Sequence, residues 1–119
     1  MNEPRDNEFR LLSVNVVGMT FSDWKPRAGE LEARAQTTKI TLHREEGNVY
    51  DPNAVRVDAQ GPGDAAPTKL GFIPKEMNLI LSRLLGDGGY SPHIRVVLRG
   101  VQHPYTPSID IFMQKGTNQ

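Results

Sequence analysis

Residues 44 to 55 form the densest run of groups able to do chemistry, reading Arg44-Glu45-Glu46-Gly47-Asn48-Val49-Tyr50-Asp51-Pro52-Asn53-Ala54-Val55. Gly47, Asn48, Asp51, Pro52 and Asn53 are all turn formers, each for its own reason, so turn chemistry accounts for them. It does not account for Tyr50, an amphipathic ring in a polar loop beside a carboxylate. Two readings of the pair stand side by side. As structure, the ring covers the mouth of the fold and Asp51 caps the backbone at Asn53 in an Asx turn. As chemistry, the ring is a stacking platform and the carboxylate an acceptor for hydroxyl or amino donors.

Catalysis finds little support elsewhere. His43, His93 and His103 lie on different segments without an HxH or HExxH spacing. His43 with Glu45 and Glu46 is the nearest thing to a ligand cluster, but adjacent residues at a strand end point to opposite faces, so at most one glutamate joins the histidine. No GxSxG elbow, phosphate-cradling glycine loop or cysteine is present. The expectation is a chain with no catalytic residue, no metal and no cofactor.

The loop needs strands to hold it, and period-two alternation supplies them. Strands are expected at Phe9 to Val17, Thr38 to Arg44, Asn53 to Asp58, Lys69 to Ile73, His93 to Val101 and Ser108 to Gln114. Met77, Ile80, Leu81, Leu84 and Leu85 recur at helical spacing, which predicts one amphipathic helix from about Lys75 to Leu85, with Pro74 before it and Gly86 as its cap. Leu42, Val55, Val57, Leu70, Ile80, Leu81, Leu84, Val96 and Ile111 are the expected core. Gln60 to Thr68 is rich in Gly, Pro and small residues and reads as a flexible hairpin loop. The fold class is mainly β, a small OB-like or SH3-like barrel of about six strands with one amphipathic helix.

Length and composition allow one such domain. With 119 residues, 37% of them hydrophobic, the chain can bury a core without disulfides or a structural metal. The expected unit is a single domain over residues 1–119, its core about 9–114, with flexible ends at 1–8 and 115–119. Fourteen basic residues balance fourteen acidic ones, which excludes a polycation that coats nucleic acid indiscriminately. Locally the balance shifts: from Lys69 to His103, Lys69, Lys75, Arg83, Arg95 and Arg99 outnumber Glu76 and Asp87. No apolar run approaches the ~20 residues needed to span a bilayer, and the N-terminus is polar. A soluble cytoplasmic protein is expected, nucleoid-associated if the source is bacterial.

Val17-Gly18, Thr41-Leu42-His43-Arg44-Glu45, Asn48-Val49-Tyr50-Asp51-Pro52-Asn53-Ala54-Val55-Arg56-Val57 and Leu70-Gly71-Phe72-Ile73-Pro74-Lys75-Glu76 together resemble the HIRAN domain family. The Tyr-Asp-x-Asn-Ala element in register with the later Gly-Phe-Ile-Pro-Lys element carries most of the specificity. The resemblance spans about Val14 to Leu85 and continues more loosely to Met113. It implies a modified OB-like barrel that binds DNA, best understood in a Swi/Snf-type fork-remodelling ATPase as a reader of single-stranded 3′ ends.

By that resemblance Tyr50 and Asp51 engage the terminal nucleotide, Phe21 is the aromatic after the Val-Gly strand and Lys75 the lysine at the helix entry. Asn48, Thr20 and Phe72 complete the expected DNA-binding set. Thr20 stands where the 3′-end reader has a basic residue, and Phe72 where it has a polar ring. A terminal 3′-OH is a hydrogen-bond donor, so Asp51 accepts from it but repels the phosphate of an internal linkage. Tyr50 and Phe21 suit any terminal base, since stacking has little sequence preference. Trp24 reads equally as a core plug or a rim aromatic, and Tyr90 and Tyr105 are aromatic positions with no assigned role.

The expected function is non-catalytic recognition of single-stranded DNA, at its 3′ end, in DNA repair or replication-fork processing. The partners are single-stranded DNA or DNA ends and a helicase or nuclease acting in trans, with no membrane. The alternative is a protein-interaction adaptor that uses Tyr50, Phe21 and Trp24 as an aromatic surface on the same barrel. A metal-dependent nuclease built on Asp51, Glu45 and His43 comes last.

Overall fold

The computed structural model describes residues 4–18, 37–45, 47–85, 94–102 and 106–114. Within them the chain is mainly β. Six strands, β1 (Glu8–Asn15), β2 (Lys39–Arg44), β3 (Val55–Gln60), β4 (Thr68–Phe72), β5 (Ile94–Gln102) and β6 (Thr106–Gln114), accompany one helix, α1 (Asn78–Leu85). A 3-10 turn at Lys75–Met77 leads directly into α1. The strands form two antiparallel three-stranded sheets, ordered β1-β6-β5 and β2-β3-β4.

A short bridge joins the two sheets. Val17 N–H donates to Phe72 O at 2.9 Å and Phe72 N–H donates to Val17 O at 2.7 Å, so the end of the first strand segment hooks onto the end of β4. Gly18 follows in the left-handed region at φ 93, and a Cβ there would lie 2.9 Å from Cδ2 of Phe72. Only glycine allows both that backbone turn and that approach to the ring.

The core lies between the inner faces of the sheets. Val14 and Val16 reach it from the first strand segment, Ile40 and Leu42 from β2, Val55, Val57 and Ala59 from β3, and Leu98, Ile109 and Ile111 from the other sheet. Leu70, Ile73, Leu81 and Leu85 close it. Strand alternation therefore sorts faces as expected in β2 and β3, whose intervening residues are less buried, apart from Asp58. Asp58 faces outward yet is nearly covered, because Arg56 grips its carboxylate through Nε at 3.0 Å and a terminal nitrogen at 3.2 Å.

Three expectations need correction. Ile80 is not core: it is half exposed, and α1 buries Asn78, Leu81, Ser82 and Leu85 instead, a stripe turned away from Met77 and Ile80. Leu84 and Val96 are partly buried rather than central. The helix expected from Lys75 begins as a 3-10 turn, with Met77 N–H bonded to Pro74 O at 2.9 Å, and becomes α-helical only at Asn78. The Gln60 to Thr68 segment holds an ordered turn, since the Asp64 carboxylate accepts from Gly61 N–H at 2.7 Å and Asp64 N–H returns a bond to Gly61 O. The Gly86 cap lies outside the described residues, as do 1–3 and 115–119 of the expected flexible ends.

β6 is buried on both faces from Pro107 to Phe112. It is the central strand of its sheet, and neighbouring polar side chains cover its outer face. The Phe112 ring lies under the guanidinium groups of Arg95 and Arg10, 4.6 and 5.7 Å from the ring centroid. Asp110 accepts from Ser13 Oγ, and Ser108 Oγ donates to Asn15 Oδ1 at 2.7 Å. Glu8 binds Arg95 at 2.7 Å, and this hydrogen bond, outweighing the opposing effect of burial, pulls its carboxyl down to about 2.

Candidate nucleic-acid interface

The loop between β2 and β3 carries three of the expected site residues, and Asn48 sets its shape. The Asn48 Oδ1 accepts from Tyr50 N–H at 2.8 Å and from Asp51 N–H at 2.9 Å, while its Nδ2 donates to Glu45 Oε1 at 2.9 Å. One side chain thus satisfies two loop N–H groups that would otherwise need water. Gly47, at φ 80, makes the turn that brings the Asn48 side chain over the loop. Glu45 N–H bonds to Ala54 O at 2.9 Å and Ala54 N–H to Asp51 O at 3.1 Å, closing the base of the loop.

Asp51 is held from two sides. Its Oδ1 accepts from Asn53 N–H at 2.9 Å, the Asx turn expected from the sequence. Its Oδ2 accepts from Asn78 Nδ2 at 2.7 Å, a contact that ties the loop to the start of α1. A carboxylate offers about four lone-pair sites, so two remain for a ligand hydroxyl. Asn78 was not among the expected residues. Its signal was a polar amide in phase with Leu81 and Leu85 on a buried helix face, a position that demands a partner.

Tyr50 is 89% exposed, with Val49 beside it at 86%. The ring therefore does not cover the mouth of the fold, and among the two structural readings of the loop only the Asx turn holds. Lys75 is exposed in the 3-10 turn that runs into Asn78, so it stands three residues before the one that grips Asp51.

Phe72 stands apart from this group. Its ring is half-buried, with the Lys69 ammonium 4.5 Å from its centroid and Gly18 against its Cδ2 edge. On the outer face of its sheet it lies across from Arg56, which in turn pairs with His43. Thr20 and Phe21 lie outside the described residues, as do Trp24, Tyr90, Tyr105, His93, His103 and Glu46.

The three residues of the nuclease reading are engaged separately. Asp51 turns to Asn53 and Asn78, Glu45 to Asn48 and to Arg56 at 3.7 Å, and His43 to Thr41 at 3.1 Å and Asp58 at 3.6 Å. Among the described residues no three His, Asp or Glu side chains are grouped to hold a metal ion. Among the same residues no helix is long and apolar enough to cross a membrane.

Fold and loop together define a small mainly β domain that presents an exposed tyrosine beside a carboxylate fixed by amide donors. The chain matches the HIRAN domain family over residues 9–113 and belongs to it. That membership suggests a DNA-binding module. Comparison with the curated proteins and with the solved structures gives no match.

Proposed function

We propose that this chain is a non-catalytic module, its two sheets the halves of an OB-like barrel, that binds single-stranded DNA at its 3′ end in repair or replication-fork processing. The observation that carries the reading is the pairing of Tyr50, almost fully exposed, with Asp51, whose carboxylate is fixed in place yet retains free lone pairs. An exposed ring on an ordered loop stacks on a base at small entropic cost, contributing about 1–3 kcal/mol. Asp51 accepts from the terminal 3′-OH and repels a phosphate in its place.

Lys75 pairs with a backbone phosphate near the end. Asn48 acts by shaping the loop, because its Oδ1 is already shared by two backbone N–H groups. Phe72, with Lys69 over its ring, is a second aromatic outside the Tyr50 loop, and Phe21, by family resemblance, and Thr20 beside it complete the proposed set. A protein of zero formal net charge suits a few nucleotides better than a long tract. A helicase or nuclease acting in trans supplies the chemistry, in the cytoplasm or at the nucleoid.

A second reading has its own observation. Met77 is exposed in the 3-10 turn and Leu79 and Ile80 on α1, and Val49 and Tyr50 are exposed on the loop tied to the start of α1, as an adaptor surface for another protein requires. Fluorescence anisotropy with short oligonucleotides ending in 3′-OH, 3′-phosphate or a blocked 3′ position, across a salt series, separates the two. End reading requires tighter binding of the 3′-OH form and weakening with salt, with a slope near −0.7 per phosphate contacted. Equal binding of all three ends removes the end-reading role, and no binding of any leaves the adaptor.

A further inference from the structure

We infer that Asn78 is a positioning residue that sets the end preference of the site by fixing the Asp51 carboxylate without neutralising it; the inference rests on the DNA-end reading above. Asn78 is 3% exposed and shares the inner face of α1 with Leu81 and Leu85, where an apolar side chain would pack without penalty. A buried amide is tolerated there only because its Nδ2 is bonded, and the acceptor is Asp51 Oδ2 at 2.7 Å, from a loop 27 residues earlier in the chain.

The bond has a geometric effect. The Asx turn alone holds one carboxylate oxygen, Oδ1, and leaves the group free to swing about that contact. The second bond, from a helix anchored in the core by Leu81 and Leu85, fixes the plane and so the direction of the remaining lone pairs.

The bond also has an electrostatic effect. An arginine or lysine at position 78 would hold the carboxylate equally well but cancel its charge, and with it the repulsion of a terminal phosphate. A neutral amide donor keeps Asp51 oriented and anionic together, as discrimination between a hydroxyl and a phosphate requires.

The test compares oligonucleotides ending in 3′-OH and in a dideoxy nucleotide, which lacks the donor and adds no titrating group. Anisotropy is read for wild type, Asn78→Ala and Asn78→Asp well below the Tm of each. Wild type is expected to favour the 3′-OH end by about tenfold. In Asn78→Ala this ratio falls towards one, the loss lying mainly in the 3′-OH arm. A purely structural role would weaken both ends alike and leave the ratio intact.

Asn78→Asp covers the case in which alanine does not fold. Two carboxylates at this distance share a proton at low pH, which restores a donor to Asp51, and repel once both are ionised. The ratio in this variant should therefore lie below that of wild type near neutral pH, where the two carboxylates repel, and recover towards it as the pH is lowered. A ratio unchanged in both variants, at every pH, overturns the role of Asn78. Equal binding of the two ends by wild type overturns end reading itself, and the inference with it.

Discussion

Exchanging the two residues of the Asp51–Asn78 contact separates what it does for the fold from what it does for a ligand. In Asp51→Asn the side-chain oxygen can still cap Asn53 N–H, but the new amide nitrogen then sits where Oδ2 was, 2.7 Å from the Asn78 nitrogen. Two donors would face each other, but the Asn78 amide can turn over and present its oxygen to the new donor, so the hydrogen bond survives in neutral form. The cost is the loss of the charge assistance alone, about 1 kcal/mol. Asn78→Asp has no such escape: it sets two carboxylates against each other where Asn78 is 3% exposed, and costs about 1–3 kcal/mol near neutral pH. The double variant recreates a donor and an acceptor with their positions exchanged, and its carboxylate stands at the first residue of α1, where a negative charge suits the helix dipole. Urea unfolding of the four proteins, with equal m-values, should then give a favourable coupling of about 1–2 kcal/mol. The double variant should nevertheless fail to recover end preference, because residue 51 no longer carries a charge. Additive single effects, with coupling below about 0.5 kcal/mol, would refute the contact as an energetic unit.

Tyr50→Ala should leave the Tm within about 2 °C of wild type, since so exposed a ring holds nothing in place, while oligonucleotide affinity falls by about 1–3 kcal/mol; unchanged affinity removes Tyr50 from the site. Leu81→Ala, at a position with no exposure, should cost about 2–5 kcal/mol in denaturant unfolding, and a cost below about 1 kcal/mol would mean that α1 does not close the core. Glu8 titrates near 2 when bound to Arg95 and near its ordinary value of 4.5 when unfolded, so its stabilisation is complete above about pH 4.5 and is lost as pH falls towards about 2. Glu8→Gln should therefore lower the Tm at about pH 7 and make little difference at about pH 2, and an equal deficit at both would show that shape rather than charge matters at this position.

What was legible in the sequence was what is local. Alternation alone sorts Ile40 and Leu42, and Val55 and Val57, onto the inner face, because period two in a strand leaves no other assignment. The Asx turn from Asp51 to Asn53 spans two residues and follows from residue type. The phase of α1 was not legible. Its sequence Asn-Leu-Ile-Leu-Ser-Arg-Leu-Leu sets Ile80, Leu81, Leu84 and Leu85 on one apolar arc, so hydrophobicity points to that arc rather than to the Asn78–Leu81–Ser82–Leu85 stripe that is buried. The structure selects the second because Asn78 meets an acceptor from another part of the chain. The covering of β6 was hidden for a related reason: the partners of Ser108 and Asp110, Asn15 and Ser13 from β1, lie more than 90 residues earlier in the chain.

Phe72 and Tyr50, the two described aromatics of the proposed site, differ in the same local and non-local sense, and that difference bears on the proposal. Phe72 belongs to the bridge that joins the sheets: its backbone exchanges two hydrogen bonds with Val17, and its ring meets Gly18 and the Lys69 ammonium. Moving that ring to meet a ligand would disturb the bridge and forfeit a cation–π contact of about 0.5–1 kcal/mol. Tyr50 has no such duties, since its loop is shaped by the Asn48 side chain acting on backbone N–H groups and by Asp51 below it. The phenol ring can therefore turn on a fixed backbone to meet bases of different size. The end reading proposed above needs this division, because a carboxylate that is to recognise a shared 3′-hydroxyl has to stay in place while a neighbouring ring accommodates whichever base comes last.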